Sequence, residues 1–232
     1  MDIAIIANGD IHCYPSAKKT LANAQYIIAC DGGLRHLQAM QLFPNHIVGD
    51  LDSAPKAYLE DCKAKGIPIN QYPTAKDDTD LALAMDYALT LRPTSIKILG
   101  ALGGRFDHAL GNLHVLAMAK GTPAEIWSET TSVTLIEQNA RSALLFPKSH
   151  RETPEQFPGT QKKALIPQGS YRTISLIPLT TVVKGITTTG LLYPLTNEAL
   201  HMGFPRGISN EFTAPVAEIT VGDGVLVVVC SV

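Results

Sequence analysis

Eleven of the twelve aspartates in this 232-residue chain lie at or before Asp107, and only Asp223 lies beyond. Their placement relative to short apolar runs is more telling than their number. Asp31 follows Tyr26–Ala29, Asp50 and Asp52 follow His46–Val48, and Asp77, Asp78 and Asp80 follow Ile67–Gln71 through a short loop. Carboxylates brought to one place repel one another and retain protons unless a cation relieves them. A hard divalent ion completed by phosphate oxygens and water meets that need, and Mg²⁺ fits this donor set best. Glycines supply an anion-binding half. Asp31-Gly32-Gly33 and Gly100-Ala101-Leu102-Gly103-Gly104-Arg105 each follow one apolar run and precede a helical stretch, with Asn8-Gly9-Asp10 as a weaker third. Backbone N–H groups in such turns face an anion, and a guanidinium such as that of Arg105 binds a phosphate in a fork. Neither a P-loop nor a dinucleotide fingerprint is present. Acid-held metal and glycine-cradled phosphate together point to nucleotide-dependent phosphoryl or pyrophosphoryl transfer.

For that chemistry to assemble, the aspartates must share one edge of a sheet. Ile3–Ala7, Tyr26–Ala29, His46–Val48, Ile67–Gln71, Ile96–Leu99 and Ala124–Trp127 read as strands. Gly33–Gln41, Pro55–Lys65, Asp78–Leu91 and Phe106–Lys120 carry helical periodicity, and in the third Leu81, Met85, Ala88 and Leu89 share a face. This alternation predicts a mostly parallel sheet covered on both sides, with ligands bound outside the carboxyl ends of its strands at a topological switch point. After about Val133 the periodicity shortens. Ile174–Ile177, Thr181–Ile186, Gly190–Tyr193, Val216–Val221 and Val225–Cys230 read as strands of an antiparallel sandwich or partial barrel, closed by a hairpin at Gly222-Asp223-Gly224. Asn139–Gly169, with Pro147, Pro154, Pro158 and Pro167, reads as a long surface excursion. The expected fold class is α/β, a mostly parallel α/β/α nucleotide-binding domain over 1–135 followed by a smaller all-β sandwich over 136–232.

Composition narrows the partners. Nineteen Lys and Arg against 21 Asp and Glu give a net charge of −2, without the basic excess of a nucleic-acid binder. No apolar run reaches the roughly 20 residues of a membrane helix, and Asp2 stands where a signal peptide needs cations, so a cytoplasmic protein is expected. Cys13, Cys30, Cys62 and Cys230 form no CxxC pair, so neither zinc nor a disulfide framework is indicated. His108 and His114, six apart, read as packing or surface residues, Cys30 as a buried small side chain, and Trp127 as core. Each aspartate taken singly is also an ordinary helix cap. It is their repetition at one edge that favours a site.

Six segments, in order and spread over almost the whole chain, resemble the thiamine pyrophosphokinase (thiamine diphosphokinase) family. They are Asp31-Gly32-Gly33, Gly49-Asp50-Leu51-Asp52-Ser53, Lys76-Asp77-Asp78-Thr79-Asp80, Gly103–His108, Gly185–Leu195 and Ile208-Ser209-Asn210-Glu211. The resemblance implies transfer of the diphosphate of ATP to the hydroxyethyl oxygen of thiamine, giving thiamine diphosphate and AMP. It implies a homodimer whose active sites lie at the subunit interface. Position by position, it makes Asp50, Asp52 and Asp80 the Mg²⁺ and diphosphate ligands, with Asp31 and Asp77 completing the acidic rim. Gly32, Gly33, Gly103, Gly104 and Arg105 fall near the nucleotide, and Asp107 supports their loop. Thr187, Thr188, Thr189, Tyr193, Ser209 and Asn210 fall on the thiamine side, where uncharged hydrogen-bonding and stacking groups suit an aminopyrimidine. Either Asp77 or Asp52 would accept the hydroxyl proton. Leu51 stands where the family more often has Phe, and the excursion over about 141–164 is longer than the family's usual link.

Two other readings compete. A diphosphokinase for another hydroxymethyl substrate, such as a pterin, would share the first half but not the Tyr193 and Ser209-Asn210 pattern. A non-catalytic nucleotide or thiamine sensor would not need the full set of Asp50, Asp52, Asp77 and Asp80. A pure interaction module would not gather aspartates at strand ends.

Overall fold

The structure is a computed structural model that describes residues 1–119, 121–138 and 163–232. Two compact units divide the chain, Met1–Glu129 and Thr130–Val232. In the first, strands and helices alternate as β1 (Asp2–Ile6), α1 (Tyr14–Leu21), β2 (Tyr26–Cys30), α2 (Leu34–Met40), β3 (His46–Gly49) and α3 (Lys56–Ala64). The series continues with β4 (Ile69–Gln71), α4 (Asp80–Thr90), β5 (Ser95–Leu99), α5 (Phe106–Leu116) and β6 (Ala124–Trp127). Every pairing between these strands is parallel, in the order β6-β5-β1-β2-β3-β4. The chain therefore runs outward from β1 to β4 and then crosses to β5 on the other side of β1. That crossing makes the β1–β5 boundary the topological switch point.

Both faces of this sheet are buried, which explains its nearly continuous apolar strands. Ala4 and Ile6 of β1 join a core with Ala17 and Leu21 of α1, Leu34 and Leu37 of α2, and Tyr58 and Leu59 of α3. Ile3 and Ile5, equally buried, alternate to the opposite face, where α4 packs across β1, β2 and β3. Leu81, Ala84, Met85 and Ala88 are the buried side of α4, the stripe its sequence periodicity predicts. Thr79 caps that helix, its hydroxyl accepting from the Ala82 N–H at 3.2 Å, and this fixes where Asp80 begins the first turn. Trp127 is only half-buried but packs against the α1–α3 core, Cys30 is buried as expected, and His108 and His114 are exposed.

Helix α1 lies in a stretch that the periodicity left unassigned. Its signal is Pro15 in the first turn, where a missing N–H costs nothing. At the start of α2 the expected helix begins instead as a 3₁₀ turn, Asp31–Gly33.

The second unit contains β7 (Thr131–Gln138), β8 (Lys163–Pro167), β9 (Thr173–Pro178), β10 (Val182–Thr189), β11 (Glu198–His201), β12 (Asn210–Glu211), β13 (Val216–Thr220) and β14 (Gly224–Ser231). All their pairings are antiparallel, with one run β12-β9-β14-β7 and a second sheet β11-β10-β13-β8. Ile174, Leu176, Leu226 and Val228 of the first meet Val183, Ile186, Leu200, Ala217 and Ile219 of the second in one core. This is the expected sandwich, with three corrections. Lys163–Pro167, assigned to the excursion, is a strand paired with β13, which gives it backbone partners despite its proline. Gly190–Tyr193 is a loop rather than a strand, with an isolated bridge from Leu191 to Phe212. Gly222–Gly224 is not a hairpin, because β13 and β14 belong to different sheets and the glycines carry the chain between them. Residues 139–162 of the excursion lie outside the described residues. Removing the α4 cap by Thr79→Ala is expected to cost about 1 kcal/mol in urea unfolding, while Thr79→Ser keeps most of it.

Candidate active site

The acidic residues gather at the carboxyl edge of the parallel sheet because each parallel strand delivers its following loop there. Asp31 follows β2 directly, Asp50 and Asp52 follow β3, and Asp80 opens the helix after β4. Among the described residues, Asp31, Asp50 and Asp52 each offer a carboxylate oxygen within 4.8 Å of the other two. Two oxygens on one Mg²⁺ at ~2.1 Å are at most ~4.2 Å apart, so a small closure would let the three share an ion. Asp31 Oδ1 is buried with no hydrogen-bond partner, an arrangement expected of a ligand atom and costly otherwise. The donor set thus fits a hard divalent cation.

The backbone around Asp31 is built for this placement. Its φ of 45° is left-handed, a conformation aspartate tolerates better than most residues. A Cβ on Gly33 would lie 2.0 Å from the Ile6 carbonyl oxygen, and one on Gly49 would lie 2.9 Å from the Asp31 Cβ. Only glycine permits so close a passage of β1, β2 and β3 where they end. Burial raises the Asp31 pKa, a bond from the Gly32 N–H partly offsets it, and Asp80, Asp50 and Asp52 add repulsion.

Asp80 is not in the converged trio. It reaches Asp50 through Lys76, whose Nζ lies 3.0 Å from Asp50 Oδ2 and 3.0 Å from Asp80 Oδ1. Burial works against the Lys76 ammonium, but its bonds to Asp80 and Asp50 outweigh it and raise its pKa. The same bond to Lys76 holds Asp50 below the ordinary carboxylate value. Asp77 is exposed at the rim. Lys76 stands outside the candidate set read from the sequence, and because it precedes α4 no helical spacing points from it to Asp80.

At the switch point the glycine loops touch. The Gly9 N–H donates to the Gly100 carbonyl at 2.6 Å, and a Cβ on Gly103 would lie 2.9 Å from Asp10 Oδ2. Arg35 donates to the carbonyls of Asn8 and Gly9, and buried His36 bridges the Gly9 carbonyl at 2.7 Å to the Tyr14 hydroxyl at 3.0 Å. Arg35 and His36, absent from the sequence-derived set, therefore clamp the loop after β1. Gly104 and Arg105 are exposed, and Arg105 pairs in a fork with Asp107 at 2.6 and 3.2 Å, which lowers Asp107 to about 2.

In the second unit, the expected substrate-side residues divide by role. Asn210 is buried, accepting from the Tyr193 N–H at 3.0 Å and donating to the Tyr193 carbonyl at 2.8 Å. Thr188 accepts from the Leu195 N–H and Thr187 from the Asn197 N–H. These side chains shape the 190–197 loop. Tyr193, Thr189 and Ser209 are exposed, and Ser209 is held at a φ of 57° with its N–H on the Ser175 hydroxyl.

Comparison with known proteins accounts for this arrangement. Residues 17–128 match the model of the thiamin pyrophosphokinase catalytic domain, and residues 163–226 match that of the thiamin pyrophosphokinase vitamin B1 binding domain. The chain belongs to the thiamine pyrophosphokinase family. It is 28% identical to the thiamine pyrophosphokinase of Bacillus subtilis over 99% of this chain and 98% of that one. The crystal structure of thiamine pyrophosphokinase from Bacillus subtilis superposes with a TM-score of 0.79 at 26% identity, covering 100% of this chain and 99% of the other. That of thiamin pyrophosphokinase from Geobacillus thermodenitrificans gives 0.78 at 24% identity over 100% and 98%, a likeness of fold.

Two outcomes test the local geometry. Asp31→Asn keeps the left-handed turn and removes a buried charge, so its thermal midpoint at neutral pH without metal should exceed wild type. A raised acid favours the fold below its unfolded pKa and loses that contribution as pH rises through the folded value, so the difference should vanish below about pH 3.9. Asn210→Ala should cost about 2 kcal/mol in denaturant unfolding, because both polar groups of Tyr193 lose their partner.

Proposed function

We propose that the protein is a thiamine diphosphokinase, moving the β,γ-diphosphate of ATP onto the hydroxyethyl oxygen of thiamine and releasing AMP. The observation that carries this reading is the convergence of Asp31, Asp50 and Asp52 at the carboxyl edge of β2 and β3, in a chain of this family. The pterin and sensor alternatives are not favoured: Asp31, Asp50 and Asp52 converge, Lys76 links Asp80 to Asp50, and the second half matches a vitamin B1 binding domain.

In this reading Asp50 and Asp52, with Asp31, would hold Mg²⁺, and Asp80 is tied to Asp50 through Lys76. The bound ion would supply charge neutralisation on the diphosphate as the β–α bridge breaks. The turns at Gly32-Gly33 and Gly103-Gly104 present N–H groups to the phosphates, and Arg105 swings from Asp107 to meet them. Asp52 or Asp77, both exposed at the rim, accepts the hydroxyl proton during in-line attack on the β-phosphorus. On the thiamine side Tyr193, Thr189 and Ser209 contact substrate, while Asn210, Thr187 and Thr188 hold their loop in shape. Positioning and electrostatics supply most of the rate. Among the described residues no helix is long and apolar enough to cross a membrane, and we place the enzyme in the cytoplasm. We take it to be a homodimer, for which exposed Phe106 and Phe204 leave apolar surface.

Purified protein with Mg-ATP and thiamine should yield AMP one-for-one with thiamine diphosphate, and only when thiamine and Mg²⁺ are both present. ADP as the nucleotide product would overturn the proposal. Asp52→Asn and Asp80→Asn should each lower kcat at least ~10²-fold at saturating Mg²⁺, and near-normal turnover by both would remove the acidic site from the mechanism.

A further inference from the structure

Lys76 sits inside the acidic site rather than beside it. Its ammonium donates to Asp50 Oδ2 at 3.0 Å and to the Pro73 carbonyl at 3.2 Å, and it is ion-paired with Asp80 Oδ1 at 3.0 Å. Its side chain is only 14% exposed, so little water shares in solvating the charge. One of its two carboxylates, Asp50, is also a member of the trio whose oxygens approach within 4.8 Å. That single carboxylate thus faces two positive claimants, the ammonium already present and a divalent ion brought in with nucleotide. Two cations a few ångströms apart repel strongly in a site of low effective dielectric.

We propose that Lys76 is a resident counter-ion of the acidic site, which holds Asp50 and Asp80 together between turnovers and yields Asp50 to the incoming metal–nucleotide. Lysine suits this better than arginine. Its charge is compact, its four-carbon stem is flexible, and it makes no planar fork to be broken. The ammonium that leaves Asp50 finds a new anionic partner in the phosphate chain arriving with the metal. Free divalent ion brings no such partner. Lys76 therefore opposes binding of the bare ion and favours binding of the ion together with its nucleotide. The site selects the metal–nucleotide complex over either component.

This inference rests on the metal reading of the preceding subsection, and calorimetric titration with Mn²⁺ separates the two. Wild type, Lys76→Met and Lys76→Gln are compared without nucleotide and again with a non-hydrolysable ATP analogue, after circular dichroism has established that each variant is folded. Without nucleotide, both variants should bind Mn²⁺ at least about fivefold tighter than wild type, because a repelling charge is gone. The gain in Mn²⁺ affinity that the analogue gives wild type should shrink at least about fivefold in the variants. Equal or weaker binding of bare Mn²⁺ by the folded variants would overturn the role of Lys76 while leaving the metal site intact. Failure of wild type and variants alike to bind Mn²⁺ at millimolar concentration, with or without the analogue, would overturn the metal site and this proposal with it.

Discussion

The mutual repulsion of carboxylates at the edge of the parallel sheet is the constraint on which the rest of this structure turns. Asp50 and Asp52 are tied locally, the Asp52 N–H donating to Asp50 Oδ1 at 3.3 Å, but Asp31 is distant in the chain. The three converge because β2 and β3 are parallel neighbours whose loops open on the same side, and because glycine at 33 and 49 lets the strand ends pass too closely for any side chain. The cost is visible in Asp31, buried, unpartnered at Oδ1 and displaced upward in pKa. It is partly offset at Asp50 and Asp80 by the Lys76 ammonium. Unfavourable electrostatics gathered at one edge in this way mark the edge as the candidate functional site of the fold.

The two faces of the sheet make that arrangement rigid. Helices α1 to α3 pack on one side and α4 on the other, so strand ends have little freedom to spread and relieve the repulsion. At the switch point itself, Arg35 and His36 tie the loop after β1, and that loop abuts the glycines after β5. The second unit solves a different problem. There the polar side chains of Asn210, Thr187 and Thr188 are spent internally on the conformation of one loop.

Much of this was legible in the residues. Strand and helix positions in the first unit follow from apolar runs punctuated by Gly and Asp, and the acidic edge follows from Asp placement after those runs. What escaped has physical reasons. Helix α1 is eight residues long and buries only Ala17 and Leu21, too short a repeat to stand out in the sequence. The β13–β14 connection looks like a hairpin because Gly-Asp-Gly is a turn signal whichever sheet the next strand joins. The short strands β11 and β12 take their pairing from distant partners, which no local pattern encodes. Asn210 looked like a substrate contact because a buried amide and an exposed one have the same letter, and only its bonds to Tyr193 reveal its load. Lys76 was similarly silent, since its meaning depends on Asp50, 26 residues away.

The most direct test of the central claim is the position of a bound ion. Crystals of chelator-treated protein soaked in Mn²⁺ and a non-hydrolysable ATP analogue would reveal it by anomalous scattering. The account predicts one peak within coordination distance of Asp50 and Asp52, next to Asp31, at the carboxyl edge of β2 and β3. A peak elsewhere, with those carboxylates left unligated, would contradict it.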